Sequence, residues 1–173
     1  MNDMDVPAIK IGSGTTKFYI NICRAYLKNH TKIRIIGGGY KIGTALTMYQ
    51  VLKKEFFVHD IQHLCVFYNR MHSMCTFLVS INTPTEIFSV AIADNENEIK
   101  ITETDTVSYS TQLCRDKFKH ALEIHLTAVG ECCVKAFFVA SQLALTGYFS
   151  FVYPIEMTDD NEIKIKIKLY KPF

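Results

Sequence analysis

The sequence lacks the short motifs that mark the commonest nucleotide-binding and catalytic sites. Its glycine-rich segment, Gly37-Gly-Gly-Tyr-Lys-Ile-Gly-Thr44, is one residue too long for the dinucleotide fingerprint and has threonine where the P-loop requires lysine. No Gly-x-Ser-x-Gly elbow and no kinase signature occur. We therefore expect a protein that is not an enzyme and that needs no cofactor.

Paired cysteines are also missing, and we expect no secretory leader. The six cysteines have no paired spacing, and residues 1–8 carry two aspartates without an apolar run. We expect reduced thiols and a cytoplasmic or nuclear location. The segments His63-x-Cys65 and His72-x-x-Cys75 contain zinc-type ligands, but no Cys-x-x-Cys accompanies them. We interpret them as core and hairpin residues and predict no metal site.

The chain has little net charge, but its charge is unevenly distributed. The 173 residues have a formal net charge of +2 and are 49% hydrophobic, which suits a globular protein. Residues 1–90 contain ten Lys and Arg against five Asp and Glu, whereas residues 91–173 contain nine against twelve. We expect any polyanion to be bound by the first half, although a solvated charged surface is the ordinary explanation for such asymmetry.

The second half of the sequence repeats the first. At an offset of 90 residues Ile9-Lys-Ile11 aligns with Ile99-Lys-Ile101, and at an offset of 91 residues Gly39 aligns with Gly130. In each repeat, strand-like alternation changes to helical spacing twice, and two β-rich runs follow. The periodicity predicts the order β-α-β-α-β-β in each repeat, an α+β fold. We place the first repeat at 8–82, a linker with a possible extra strand at 83–97, and the second repeat at 98–173.

Both repeats resemble the Alba superfamily, small β-α-β-α-β-β proteins that bind DNA or RNA and work as dimers. In the first repeat, Ile9-Lys-Ile-Gly-Ser-Gly14 is similar to the family's first strand and glycine/serine loop. The segments Gly39-Tyr-Lys-Ile-Gly-Thr-Ala45 and Gly130-Glu-Cys-Cys-Val-Lys-Ala136 are similar to its Gly-Arg-Ala-Ile-x-Lys-Ala signature. The resemblance implies two Alba-like units packed as an intramolecular pseudo-dimer and RNA or DNA as the partner. Through the eukaryotic members, it also implies protein subunits of a ribonucleoprotein as further partners.

The candidate nucleic-acid contacts lie mainly in the first repeat. We expect Lys17 and Lys41 in the first turns of two helices, where free N–H groups and the helix dipole favour a phosphate. Tyr40 could stack on an unpaired base. The ordinary alternatives are a tight strand-to-helix turn, solvated lysines and a tyrosine at the rim of the core. The complete set of predicted contacts is Lys17, Arg34, Gly39, Tyr40, Lys41, Arg70 and Lys135.

A long uncharged segment raises the alternative of a membrane span. Residues 136–153 carry no charge over 18 positions, the length at which a transmembrane helix is considered. Polar residues interrupt the segment, and the repeat alignment divides it into a helix and a strand, so we expect no membrane partner. The helix, residues 132–145, is apolar on nearly every side, which favours burial between the two repeats.

One histidine matches part of a catalytic pattern. Ile124-His-Leu-Thr127 has the apolar-His-apolar-Thr order of two-histidine phosphoesterases, in which paired histidines exchange protons with an RNA phosphodiester. Such an enzyme needs two copies, and the aligned position in the first repeat is Arg34. We therefore interpret His125 as a strand residue.

The leading prediction is a non-enzymatic nucleic-acid-binding protein that grips the phosphate backbone through its first repeat. RNA is preferred to DNA only because of the eukaryotic resemblance. The alternative is a structural subunit of a larger assembly, such as a ribonucleoprotein, that kept the fold and lost direct nucleic-acid binding. The small net charge and the acidic second repeat favour the alternative.

Overall fold

The computed structural model describes residues 6–58, 62–68, 70–82, 97–153 and 155–171. These residues form four α-helices and two five-stranded sheets with parallel and antiparallel pairs, so the predicted α+β class is confirmed. By compactness the chain divides into unit 1, Met1–Ile61 with Met74–Ala91, and unit 2, Gln62–Ser73 with Ile92–Phe173. The predicted linker lies outside the described residues except for Asn97. The packing of the two units as a pseudo-dimer stays a prediction.

The first sheet and its helices follow the order predicted for the first repeat. The elements are β1 (Ala8–Lys10), α1 (Thr16–Tyr26), β2 (Lys32–Gly38), a 3-10 turn (Gly39–Lys41), α2 (Ile42–Leu52), β3 (Phe57–Val58), β4 (Gln62–Tyr68) and β5 (Arg70–Ser80). β1 pairs in parallel with β2, while β5 pairs antiparallel with β2 and with β3. The strand order is therefore β1-β2-β5-β3, with β4 also paired to β5.

The second sheet repeats this topology. Its elements are β6 (Glu98–Lys100), α3 (Val107–Lys117), β7 (Glu123–Val129), α4 (Cys132–Ala144), β8 (Phe149–Val152), β9 (Glu156–Met157) and β10 (Ile163–Tyr170). The strand order is β6-β7-β10-β8, with β9 also paired to β10. Both sheets thus have a parallel first pair and an antiparallel continuation. In each, two separate strands stand where the sequence predicted a single third strand.

Sequence periodicity explains which face of β2 is buried. Ile33 and Ile35 are fully buried, whereas Lys32 and Arg34 alternate with them and lie on the other face. The helix α1 begins after Thr15, whose side chain accepts a hydrogen bond from the Phe18 N–H at 3.2 Å. Apolar side chains at helical spacing along α1 and α2 complete the core of unit 1.

Close packing of α2 against β2 explains the first glycine of the glycine run. A Cβ atom on Gly37 would lie 2.8 Å from the Ala45 Cβ and 2.8 Å from the Lys41 carbonyl oxygen. Gly39 has a different requirement, because its φ of 54° is in the left-handed region while no atom crowds the position of a Cβ. The aligned residue in unit 2, Gly130, has the same left-handed backbone, with φ of 58°.

The apolar helix α4 is buried within unit 2, which by compactness also contains β4 of the first repeat. Cys133, Ala136, Phe137 and Leu143 of α4 are fully buried, and the helix packs on α3, β7, β8, β10 and β4. The uncharged segment 136–153 therefore divides into α4 and β8, as the repeat alignment predicts. Within the described residues, no helix is both long enough and apolar enough to cross a membrane.

Candidate nucleic-acid interface

The two helices of unit 1 begin at one edge of the sheet. Because β1 and β2 are parallel neighbours, the segments that follow them, 12–18 and 39–44, leave the same edge. We call these two segments the helix-start edge. It contains Lys17, Gly39, Tyr40 and Lys41, four of the seven predicted contacts. The predicted position of Lys17 in the first turn of a helix is confirmed, and Lys41 lies in the 3-10 turn immediately before α2.

Tyr40 is the most prominent side chain of this edge. It is 81% exposed, although the 3-10 turn that carries it contacts α2 and β2. The Lys41 Nζ lies 4.8 Å from the centroid of the Tyr40 ring, a cation–π distance. Tyr40 is therefore not a core residue, and its ring is available to a flat ligand with a cation beside it.

The loop between β1 and α1 is held by an aromatic side chain that sequence reasoning missed. The Tyr19 hydroxyl oxygen accepts hydrogen bonds from the Gly12 N–H at 2.7 Å and the Gly14 N–H at 3.3 Å. A Cβ on Gly14 would lie 2.7 Å from the Phe18 ring and 3.0 Å from the Tyr19 ring. The glycines of this loop therefore serve the packing of two rings, and the two bound amides are not directed at an anion.

Phe18 adds a second exposed aromatic ring to the helix-start edge. Its side chain is 54% exposed and packs edge-on against Tyr19 with centroids 5.2 Å apart. The residue follows Lys17 directly, so both residues belong to the first turn of α1. Sequence reasoning missed this ring, and the only sequence signal for it is a phenylalanine directly after Lys17 at the start of a predicted helix.

The helix-start edge is free of carboxylates. Its two segments contain two lysines and no Asp or Glu. Among the described residues, no carboxylate lies within ion-pair distance of Lys17 or Lys41. The bidentate ion pair of unit 1 joins Arg24 to Glu55, with an Nε–Oε2 distance of 2.9 Å, and involves neither lysine. Helix dipoles and both ammonium groups therefore act in the same direction at this edge.

The equivalent edge of unit 2 has the opposite charge. Segments 102–108 and 130–135 carry Glu103, Asp105 and Glu131 against a single lysine, Lys135. Both the N–H and the hydroxyl of Thr102 donate to the Asp105 carboxylate at 2.7 Å, which holds the pKa of that carboxyl below its usual value. This edge repels a phosphate backbone more than it attracts one.

Lys135 forms its hydrogen bonds within its own unit. Its Nζ donates to the carbonyl oxygens of Thr102 at 3.3 Å, Glu103 at 2.5 Å and Asp105 at 3.0 Å. An ammonium group has three hydrogens to donate, and three carbonyl oxygens surround this one. Lys135 therefore clamps the loop before α3 to the start of α4. Its role as a nucleic-acid contact stays a prediction.

The two predicted arginines belong to strands and not to the two segments of the helix-start edge. Arg34 is half-buried in the middle of β2, next to Ala8 of β1 and Leu78 of β5 in the strand register. Lys10 and Lys32 are exposed on the same face, which the alternation of Lys32-Ile-Arg-Ile35 predicts. Arg70 begins β5, but its side chain lies outside those that the structure describes.

The lysine strand β10 of unit 2 is largely neutralised. Lys164 pairs with Glu156 at 2.8 Å, and Lys168 pairs with Glu123 at 2.7 Å. The hydrogen bond from Lys168 to Glu123 raises the pKa of that ammonium group. Lys166, between them, is 9% exposed. These lysines are therefore less available to a phosphate than the two lysines of the helix-start edge.

His125 lies in β7, as its interpretation as a strand residue requires. It is 4% exposed, and neither ring nitrogen has a hydrogen-bond partner among the residues that the structure describes. The Nε2 lies 3.3 Å from the Glu123 carboxylate, close enough for an electrostatic contact but without hydrogen-bond geometry. The pKa of His125 is lowered mainly by burial, and the positive charge of Lys166 lowers that pKa further.

Five cysteines have side chains that the structure describes, and all five lie in the core. They are buried free thiols, namely Cys23, Cys75, Cys114, Cys132 and Cys133. Burial raises the pKa of Cys23, Cys114 and Cys133 to about 12. Within the described part of the chain, no three His, Cys, Asp or Glu residues are grouped so that they could hold a metal. The side chains of His63, Cys65 and His72 lie outside that part.

Comparison with known proteins does not extend this description. No family model matches the chain, and no curated protein matches it at a significant level of similarity. The class defined by the fold is therefore α+β, built from two sheets of the same strand order.

Proposed function

We propose that this chain is a non-enzymatic nucleic-acid-binding protein that contacts RNA through the helix-start edge of unit 1. The observation that carries the proposal is the pairing of an exposed Tyr40 ring with the Lys41 ammonium group on an edge without carboxylates. A phosphate backbone needs cations, and an unpaired base needs an exposed flat ring. The helix-start edge offers both within a few residues.

The electrostatic part of the proposal rests on uncompensated charge. Lys17 is exposed in the first turn of α1, and Lys41 lies next to the first turn of α2. Neither shares its charge with a carboxylate among the described residues, whereas Lys164 and Lys168 of unit 2 do. Contacts to phosphate fix position and carry no sequence information, so this edge is expected to recognise backbone shape.

The aromatic part of the proposal favours an unpaired base. Stacking on an exposed ring is accessible to bases that are not already stacked in a duplex, and it tolerates every base because each has a π-face. RNA is preferred to DNA through the resemblance to the Alba superfamily. That resemblance also leads us to propose that the two repeats pair within the chain, with unit 2 as the partner of the binding unit.

A scaffold function is the second candidate, and the charge of unit 2 favours it. The equivalent edge of unit 2 carries three carboxylates, and its loop is closed by Lys135. If unit 1 has also lost its ligand, the chain would occupy a fixed place in a larger protein assembly.

Replacement of Tyr40 tests the proposed site. Tyr40→Ala should weaken binding to single-stranded RNA by about 1–3 kcal/mol, the usual contribution of one stacked base. Tyr26→Ala is the matched control, because Tyr26 is also exposed but lies at the other end of α1. Fluorescence anisotropy with a labelled RNA measures both. Equal losses of RNA affinity in the two variants, or no loss in Tyr40→Ala, would contradict the assignment of the site to Tyr40.

A further inference from the structure

The helix-start edge carries two exposed aromatic rings on two different segments. Phe18 lies in the first turn of α1 and is 54% exposed, and Tyr40 lies in the 3-10 turn before α2 and is 81% exposed. The proposed function uses Tyr40 as a base-stacking ring and leaves Phe18 without a role. A phenylalanine ring exposed to this extent leaves apolar area in water that a ligand can bury.

The Phe18 ring is fixed in position by its neighbours within unit 1. It packs edge-on against the Tyr19 ring, with centroids 5.2 Å apart and planes at 77°. A Cβ atom on Gly14 would lie 2.7 Å from the Phe18 Cδ1, so the ring lies directly against the backbone of the loop between β1 and α1. The Thr15 side chain accepts a hydrogen bond from the Phe18 N–H at 3.2 Å and fixes the backbone that carries the ring. A ring that is fixed before binding loses little side-chain freedom when a base stacks on it.

The two rings belong to neighbouring helix starts. Because β1 and β2 are parallel neighbours, α1 and α2 begin at the same edge of the sheet, and the two helices pack against each other. Helices in such contact have axes about 8–10 Å apart. Successive nucleotides of a stacked strand are about 3.4 Å apart, so a strand that reaches from one helix start to the other spans at least about three nucleotides. The two rings therefore suit two different bases of the same strand.

The charges of the edge favour a polyanion over a protein surface as the ligand. Its two segments contain two lysines and no carboxylate, and among the described residues neither Lys17 nor Lys41 forms an ion pair. The Lys41 Nζ lies 4.8 Å from the centroid of the Tyr40 ring, so one ring already has a cation beside it. The centre of a protein-docking surface is usually depleted of charge, whereas aromatic rings together with unpaired cations are typical of single-strand binding.

Unit 2 has an aromatic residue at the same position but in acidic surroundings. The helix α3 begins after Thr106, whose side chain accepts a hydrogen bond from the Tyr109 N–H at 3.1 Å, as Thr15 does from Phe18. Tyr109 is the third residue of α3, as Phe18 is of α1, and it is 59% exposed. The edge at which α3 begins carries three carboxylates and one lysine. Two rings of similar exposure therefore differ in the charge around them, and Tyr109 serves as an internal control for Phe18.

We propose that Phe18 stacks a second unpaired base, so that the helix-start edge binds a single RNA strand of about four nucleotides between the Phe18 and Tyr40 rings. The inference rests on the proposed function, since it gives that same site its length and its second aromatic contact. Lys17 and Lys41 contact phosphates of the same strand. The site consequently requires consecutive unpaired nucleotides, and a single base looped out of a duplex occupies only one of its rings.

The test compares two lengths of oligouridine on the full chain. Phe18→Ala should weaken the binding of fluorescein-labelled hexauridine by about 5-fold to 150-fold in fluorescence anisotropy. It should change the affinity for diuridine, measured by competition, by no more than about 2-fold, because either ring alone holds so short a strand. Phe18→Trp should keep the hexauridine affinity, whereas Phe18→Leu should lose it as Phe18→Ala does. Tyr109→Ala is the matched control and should bind hexauridine like the wild type.

Four results would overturn the inference. The first is full hexauridine affinity in Phe18→Leu, because apolar area rather than stacking would then be responsible. The second is an equal loss of hexauridine affinity in Phe18→Ala and Tyr109→Ala, because the effect would then not depend on the charge of the edge. The third is an equal loss of diuridine and hexauridine affinity in Phe18→Ala, which would leave a site with one ring. The fourth is a loss of binding to phosphatidylserine vesicles in Phe18→Ala with unchanged hexauridine affinity, which would assign the ring to a membrane surface.

The same titrations distinguish failure of the inference from failure of the proposed function. If Tyr40→Ala weakens hexauridine binding and Phe18→Ala does not, the proposed function stands and the second stacking ring is excluded. If Phe18→Ala, Tyr40→Ala and Lys17→Glu with Lys41→Glu all bind hexauridine like the wild type, the helix-start edge is not the binding site and both proposals fail.

Discussion

Charge reversal at the helix-start edge gives the most detailed prediction about the binding surface. Lys17→Glu combined with Lys41→Glu places two carboxylates where helix dipoles and ammonium groups now act together. Each phosphate contact contributes about 0.9 to the slope of log K against log salt on duplex and about 0.7 on single strands. Loss of two contacts should therefore reduce the slope by about 1.4–1.8.

This change in slope is large enough to measure. Between 50 and 200 mM salt, the wild type should lose about 7-fold to 12-fold more affinity than the double variant, as follows from the slope difference over a fourfold change in salt. Filter binding at several salt concentrations gives both slopes. The affinity at the lowest salt should fall for the same reason.

A matched control separates a local contact from a change in net charge. Lys28→Glu combined with Lys54→Glu alters the net charge equally, but these exposed lysines follow the C-terminal ends of α1 and α2. The control should leave the slope within error of the wild type. Equal slopes in the two double variants would refute the reasoning, as would loss of binding in Lys164→Gln with Lys168→Gln and no change at the helix-start edge.

Three further predictions concern side chains whose roles the structure defines. Lys135→Met should lower the melting temperature, because three carbonyl oxygens lose their donor. RNA affinity of the same variant tests the predicted contact, since a loss of affinity without a loss of stability would support that role and an unchanged affinity would contradict it. Gly37→Ala should destabilise the fold by about 1–3 kcal/mol, since a Cβ would overlap Ala45 and the Lys41 carbonyl. Thermal denaturation measures this loss, because each kcal/mol lowers the melting temperature by about 2–4 °C in a chain of this size. An unchanged melting temperature would contradict the close approach of α2 to β2. The pKa of His125 is lowered in the folded state by burial, Lys166 and Lys168, against the opposing effects of Glu123 and Glu98. Its contribution to stability is therefore present above the unfolded pKa of about 6.5 and is lost as pH falls through that value toward the lower folded pKa. Urea denaturation between pH 8 and pH 5 should show a smaller loss of stability in His125→Gln than in the wild type, and identical pH profiles would contradict the burial argument.

Local periodicity was sufficient to predict the four helices and the longer strands, because it records which face of each strand or helix meets the core, but it did not predict the two-residue strands β3 and β9. The alternation around Ile33 and Ile35 and the helical spacing along α2 are of this kind. Gly39 and Gly130 share the same left-handed backbone conformation, with φ near 55° in both, which agrees with the alignment of the two repeats.

Contacts between residues distant in sequence could not be predicted in the same way. Lys135 binds a loop 30 or more positions earlier, and nothing near it in the sequence distinguishes it from a solvated lysine. Tyr19 is spaced like a core residue of α1, yet its hydroxyl holds the Gly12 and Gly14 amides. The ion pairs of β10 likewise depend on the register with β7, which places Lys168 beside Glu123.

Saturable binding of RNA by the purified full chain tests the central claim most directly. A filter-binding titration at low salt, with single-stranded RNA and DNA in parallel, should show saturation with a Kd tighter than about 10⁻⁴ M, the weak limit of ordinary non-specific association. RNA should bind at least as tightly as DNA. Binding weaker than that limit for both ligands would contradict the account and would favour a scaffold protein that has kept the fold without its ligand.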